Sequence, residues 1–273
     1  MGPQLIRIVS DVHFGERSSR VSALSQLRPL LEGADAFVFN GDTLDTRPSR
    51  NNERTARMRS EVLDYFSSFG IPVTFLTGNH DPNFSHQHSL ELEGGRVLVT
   101  HGDLLFDTIV PWSSEAKVMK KRVVDALSAL PAGRASELEG QLEAYRSAAG
   151  SVSQRHQEEP NPVRYALRLA SDTVWPPHRA FSMLKAWREA PGKAATLARR
   201  HRPRAQCIVI GHTHRPGVWR TPSGVTVINN GSFSRPFGAM VTEVRPGNVR
   251  VRRVVCRRGD FHPGSTVANI PLR

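Results

Sequence analysis

The sequence predicts an α/β sandwich interrupted by a helical insertion, and three features of its patterning carry that prediction. Short apolar runs alternate with helix-spaced apolar residues as far as residue 80. Residues 106–203 then carry little strand signal and much Ala, Leu, Arg, Lys and Glu. Strand character returns at Cys207 and persists to Val255. Alternating strands and helices imply βαβ units, with a central sheet covered by helices.

The elements follow in order. Residues 4–10, with Leu-Ile-Arg-Ile-Val-Ser after Gln4, read as a strand ending at Asp11-Val12-His13. Val21, Leu24, Leu27, Leu30 and Leu31 fall at helical spacing, and Ala36-Phe37-Val38-Phe39 is a strand running into Gly41-Asp42. After a polar loop, Met58, Val62, Leu63, Phe66 and Phe69 mark a second helix. Val73–Leu76 is the third strand and ends at Gly78-Asn79-His80-Asp81. Residues 90–93 and 96–100 form a β-hairpin about Gly94-Gly95, ending at His101-Gly102-Asp103. Helices of the insertion are expected to break at Pro131-Ala132-Gly133, Glu159-Pro160-Asn161-Pro162, Pro176-Pro177 and Pro191-Gly192. Strands return at 207–210, 225–229, 239–244 and 249–255, the last two joined through Pro246-Gly247-Asn248. The chain has no internal repeat, and its 273 residues are read as one domain, 1–273, carrying the insertion 106–203.

Composition narrows the class. Apolar content of 38% and charged content of 23% argue against wholesale disorder. Neither a secretory signal nor an uncharged apolar run of the ~20 residues that span a bilayer is present. A cytoplasmic location is therefore expected, with peripheral contact at the inner membrane face as a variant. Cys207 and Cys256 are too few for a disulfide framework, and both are expected to be buried and reduced. The net charge is +12, but residues 1–112 sum to −4 while 113–204 and 205–273 each sum to +8. That excess suits an anionic partner: nucleic acid, a phosphorylated substrate or an acidic membrane surface.

Five clusters carry the chemistry: Asp11-x-His13, Gly41-Asp42-x-x-Asp45, Gly78-Asn79-His80-Asp81, His101-Gly102-Asp103 and Gly211-His212-Thr213-His214. Each follows an expected strand, so folding can gather them where open α/β sheets place their sites. Carboxylates, imidazoles and an Asn carbonyl oxygen suit borderline first-row ions such as Mn²⁺, Fe²⁺ or Zn²⁺. Residues i and i+2 of an extended segment project to the same side, so both members of an x-spaced pair can reach one ion. Any one fragment is common; five in order, each after a strand, are hard to obtain by chance.

These residues closely resemble the calcineurin-like metallophosphoesterase superfamily, whose motifs run D-x-H, G-D-x-x-D, G-N-H-[DE], H and G-H-x-H. The resemblance covers residues 4–104 and 205–235. It implies two mixed β-sheets packed as a sandwich and flanked by helices, with 106–203 inserted into a single metallophosphoesterase domain. It also implies two divalent ions, with Mn²⁺ expected and Fe²⁺ or Zn²⁺ as alternatives. Asp11, His13, Asp42 and His214 would hold the first, and Asp42, Asn79, His101 and His212 the second, with Asp42 bridging. Asn230-Gly231-Ser232 resembles the family's N-x-G-S stretch, with Asn229 or Asn230 as its Asn.

Chemistry follows from the charge of such a pair. Two divalent ions about 3.5–4 Å apart acidify a shared water, and the resulting hydroxide attacks phosphorus in line. His80, not a ligand, is expected to stabilise the transition state or protonate the leaving oxygen, with Asp81 holding its ring as an imidazolium. Asp45 is expected to orient a neighbouring ligand, and Asp103 either does the same or only makes a turn. His86 and His88 are read as solvated or substrate-adjacent rather than as a third metal site. His156, His178, His201 and His262 lack partner spacing and are read as surface residues.

Gly211–Pro216 and His101-Gly102-Asp103, with helices between them, are similar to the bacterial UDP-2,3-diacylglucosamine diphosphatases. In that group the insertion is a lid over acyl chains, and here it would carry Trp112, Trp175 and Trp187 among many Arg and Lys. The expected substrate is a phosphate ester or diphosphate, lipid-linked and nucleotide-bearing. That group typically has Arg where this chain has His80, which is the wider superfamily's choice. A phosphodiesterase or nuclease acting on nucleotides or nucleic acid is the alternative. A non-catalytic scaffold is a distant third, because every motif is intact.

Overall fold

The computed structural model describes residues 4–48, 51–153, 164 and 175–273. In chain order its strands are β1 (Ile6–Val9), β2 (Ala36–Asn40), β3 (Val73–Leu76), β4 (Ser89–Leu92), β5 (Val97–Thr100) and β6 (Cys207–Ile210). There follow β7 (Gly217–Arg220), β8 (Thr226–Asn229), β9 (Met240–Arg245), β10 (Asn248–Arg257) and β11 (Asp260–Pro271). One sheet has the order β11-β10-β9-β1-β2-β3 and the other β4-β5-β6-β8-β7. Both are mixed: β1, β2 and β3 pair in parallel, as do β5, β6 and β8, while β9 and β4 pair antiparallel to their neighbours.

The two-residue period of the strands explains the sandwich. Ile8, Val38, Val97, Val99, Cys207, Val209 and Ile228 meet between the sheets. Their chain neighbours Val9, Phe37 and Phe39 face the opposite way, into a cluster with Leu27, Leu30, Val62 and Phe66. The last four come from the helical turns over Leu24–Leu31, where the short α1 (Arg28–Leu31) ends, and from α2 (Asn52–Ser67). Asn51 caps α2 by accepting the Arg54 N–H at 3.0 Å.

Helices that follow β5 and precede β6 in the chain cover the other sheet. Leu98, Ile208, Ile210 and Val227 pack against side chains of α3 (Ala116–Ser128), α4 (Leu138–Gly150) and α5 (His178–His201). On α5 the buried positions Ala186, Ala190, Ala194 and Ala198 recur every fourth residue, a small-residue stripe that lets the helix lie close. Pro191 was expected to end a helix, yet α5 runs through it. Burial of the alanine stripe outweighs the one backbone hydrogen bond that proline removes. The expected break at Glu159–Pro162, and His156, lie outside the described residues.

Other expectations need correction. Cys207 is buried but Cys256, near the end of β10, is exposed; both are free thiols. Strands β7 and β11 were not foreseen. In β11, Pro263 and Gly264 spoil the strand pattern, and pairing with β10 forms it instead, with register shifts near Arg252. Among the described residues no helix is long and apolar enough to cross a membrane.

Candidate metal centre

All five motifs lie just beyond the C-terminal ends of β1, β2, β3, β5 and β6, so both sheets deliver donors to one point. Asp11, His13, Asp42 and His214 bring one ligand atom each within 4.8 Å of one another. The His214 Nε2 lies 3.1 Å from the Asp11 Oδ1 and 3.2 Å from the His13 Nε2. Beside them the His101 Nε2 is 3.3 Å from both the Asp42 Oδ2 and the Asn79 Oδ1. The His212 Nδ1 is 2.8 Å from the same Asn79 oxygen. All seven sequence-expected ligand side chains are thus brought together, with Asp42 between the two groups.

The x-spaced pairs were expected in extended chain, but Asp11, His13, Asp42, His212 and His214 all have left-handed φ, between 50° and 63°. Non-glycine residues rarely adopt this conformation, and it persists where the surroundings over-determine it. The surroundings are close-packed: a Cβ on Gly78 would lie 2.3 Å from the Asp42 Oδ1, and one on Gly211 would lie 2.2 Å from the Asp11 Oδ2. Only glycine fits at either position.

Outer hydrogen bonds fix which ring nitrogens face the cluster. The His13 Nδ1 lies 3.0 Å from the Glu16 Oε1, and the His101 Nδ1 lies 3.0 Å from the Asn40 carbonyl. Each bond orients its ring so that Nε2 points to the other donors. The His212 Nε2 lies 2.9 Å from the carbonyl of Ile109, a β-branched residue itself held at φ 57°. In the tautomer whose Nε2 proton meets that carbonyl, the His212 Nδ1 lone pair faces the Asn79 oxygen, another acceptor. Two acceptors facing one another at 2.8 Å suit a shared cation, so the donor set fits metal ions.

Charge agrees. Burial, and then His101, lower the His212 pKa to about 4, leaving a neutral ring able to ligate. Burial works against charging His101, yet Asp42 and Asp11 raise its pKa well above the ordinary value. A proton there does what a divalent ion would do in its place.

The surroundings of His80 correct one sequence reading. Asp81 does not hold its ring: that carboxylate accepts the backbone N–H groups of Asp42, Thr43 and Gly78 at 3.0, 2.7 and 2.6 Å. Three loop N–H groups converge there, leaving Asp81 no route to the imidazole. The His80 Nδ1 instead faces the Asp45 Oδ2 at 3.2 Å and the Glu16 Oε1 at 3.4 Å, with the Arg47 Nη2 at 3.1 Å. Burial and Arg47 depress its pKa, but Asp42, Asp45 and Glu16 prevail and hold it at about 10. Asp45 also binds Arg47 at 2.6 Å, so it orients His80 rather than a donor of the cluster. Glu16 and Arg47 were missed because neither belongs to a motif; only their closeness to Asp11 and Asp42 in sequence could have suggested them.

Asn229 braces the Gly211–His214 loop, donating to the Gly211 carbonyl at 2.8 Å and to the Thr213 Oγ1 at 2.9 Å. Asn230 ties β1 to β9 through the Ile8 carbonyl and the Thr242 hydroxyl. Asp103 is buried, and burial raises its pKa. His86 is exposed, and the half-buried His88 hydrogen-bonds to Thr77. His178 is exposed, while His201 and His262 are half-buried. None of these histidines joins a metal-holding group among the described residues.

Fold and donor set together define a metal-dependent phosphoesterase, with a residue cluster suited to a dinuclear divalent centre. The family model for the calcineurin-like phosphoesterase matches residues 5–216, and the chain belongs to that family. No curated protein matches it. Among solved structures, a dimetal phosphatase from Danio rerio is 15% identical over 100% of both chains, with a TM-score of 0.48. A Streptococcus pneumoniae TIGR4 protein described as a predicted phosphoesterase is 14% identical over 99% of both, at 0.43. Vacuolar Protein Sorting 29 from Cryptosporidium parvum is 11% identical over 98% of both, at 0.44.

Proposed function

We propose that the chain hydrolyses a phosphate ester or diphosphate with two divalent ions, Mn²⁺ by preference. Asp11, His13, Asp42 and His214 hold one ion, and Asp42, Asn79, His101 and His212 hold the other. The carrying observation is the convergence of the Asp11, His13, Asp42 and His214 donor atoms within 4.8 Å. When bound, such ions supply an acidified water as nucleophile and neutralise charge on the phosphoryl oxygens. His80, held as an imidazolium by Asp45 and Glu16, donates its proton to the leaving oxygen. Arg47 keeps Asp45 in place for that task.

The favoured substrate is a UDP-diacylglucosamine-like nucleotide-lipid, with 106–203 as the substrate-selecting insertion of one domain. Support comes from exposed Trp175 (68%), Phe181 (71%) and Leu184 (54%) beside Lys185 and Arg188, a surface suited to an anionic, partly apolar molecule at the inner membrane face. A nucleotide or nucleic-acid phosphodiesterase is the second reading, favoured by the +12 charge. A hydrolysis screen with Mn²⁺ over aryl phosphates, nucleotide diphosphate sugars, cyclic nucleotides and single-stranded DNA tests both. Steep loss of turnover with salt marks the nucleic-acid reading; weak salt dependence and preference for an acylated substrate mark the first. No hydrolysis of any of these would contradict the proposal.

A further inference from the structure

The loop Gly211–His214 carries two of the proposed ligands, His212 and His214, on either side of buried Thr213. Their left-handed φ values of 63° and 56° require support from outside the loop. Asn229 supplies it from the core. Helix α5 supplies it from the other side, where the Trp187 Nε1–H donates to the Thr213 carbonyl at 2.8 Å. Among the described residues no other donor reaches that carbonyl. Arg215 secures the contact: it donates to the Trp187 carbonyl at 3.2 Å and lies 5.9 Å over the indole and 5.7 Å over the Trp219 ring. Phe237 meets Trp187 edge-on at 6.1 Å and the His214 ring at 5.5 Å.

We propose that Trp187 is a positioning residue for the metal centre, fixing through its indole N–H the peptide from which His214 presents its ring. The Thr213 carbonyl belongs to the same peptide plane as the His214 N–H, so rotation of that plane swings His214 away from Asp11 and His13. Without the indole donor a buried carbonyl has no partner, and the loop gains by turning it toward another. The contact makes α5 part of the support of the metal centre as well as a cover for the sheet. The proposal rests on the reading of His212 and His214 as ligands.

Calorimetric titration of the metal-free full-length chain with Mn²⁺ tests it, because affinity is read without turnover. Trp187→Phe keeps an aromatic ring against Phe237 and Arg215 but removes the donor. It should weaken binding of the ion held by His214 by about 10–100-fold, as loss of a ligand's outer partner typically does. Trp219→Phe, on the other side of Arg215 and without a hydrogen bond to the loop, should bind as wild type. If the Phe variant fails to fold, benzothienylalanine at position 187 deletes the N–H alone and must give the same loss. Wild-type affinity in the position-187 variants, with weakened binding in His214→Ala, overturns the proposal alone. Equal weakening in Trp219→Phe overturns it in favour of packing. Wild-type affinity in His214→Ala overturns the ligand reading and this proposal with it.

Discussion

The backbone N–H of Asp42 donates to the Asp81 carboxylate at 3.0 Å, so the proposed bridging residue is held from behind by a carboxylate outside the donor cluster. The Asp42 Oδ1 in turn accepts the His80 N–H at 2.8 Å. Burial, and then Asp42, push the Asp81 pKa up to about 7. Asp81→Ala strands three loop N–H groups, each costing about 1–3 kcal/mol when left unsatisfied. The melting temperature and Mn²⁺ affinity should both fall, and Asp81→Asn, which keeps one acceptor oxygen, should lose less of each. Thermal melts and calorimetry on the two variants check this.

Removing the imidazole separates binding from chemistry. His80→Ala should keep both ions yet lower kcat by ~10²–10⁴ on a substrate with a poor leaving group. Asp45→Asn and Glu16→Gln should act through pH. Both carboxylates hold His80 protonated against burial and Arg47, so the acid form, and the rate, are lost as pH rises through its pKa. Either variant lowers that pKa and moves the alkaline limb of the kcat profile downward. An unmoved limb would mean that another group supplies the proton.

A second pH dependence lies away from the centre. Burial, and then Arg146, lower the His88 pKa to about 4, below the ordinary 6.5. The unfolded chain therefore takes up a proton at His88 between pH 6.5 and 4 that the folded chain resists. Stability from this group is complete above pH 6.5 and is lost as pH falls toward 4. His88 is partly exposed, so the loss is roughly 1–2 kcal/mol once solvent screening is allowed for. Melts of metal-free wild type and His88→Gln from pH 7 to 4.5 should diverge by that amount, with the wild type falling faster.

Much of the centre was legible because its motifs are local. Asp11, Asp42, Asn79, His101 and His212 each follow a short apolar strand, and those strands stand out by their runs of Val, Ile, Leu and Phe. What escaped was set by tertiary contact. Glu16 meets His13 and His80 only because the backbone turns left-handed at Asp11 and His13. No residue spacing encodes that turn. Strand β11 exists through pairing with β10, and α5 survives Pro191 because its alanine stripe is buried. Helices α3, α4 and α5 also wall the second sheet, so deleting them would expose Leu98, Ile208 and Ile210.

Metal removal should be visible in stability as well as rate. Chelation leaves Asp11 and Asp42 buried together, with five of the proposed ligands in strained left-handed backbone. An ion at a hundredfold its Kd adds about 2.7 kcal/mol by mass action alone. The melting temperature should rise with Mn²⁺ concentration and fall on chelation, and activity should return on reconstitution. A melting temperature indifferent to Mn²⁺ would deny the site.

The most direct test is the number of ions that the protein holds. Elemental analysis of the Mn²⁺-reconstituted chain after desalting should give two ions per chain. Asp42→Ala, which removes the donor proposed to be shared by both ions, should retain fewer than two and lose hydrolysis. One ion or none in the intact protein, or two retained without Asp42, would contradict the dinuclear centre on which the proposed chemistry depends.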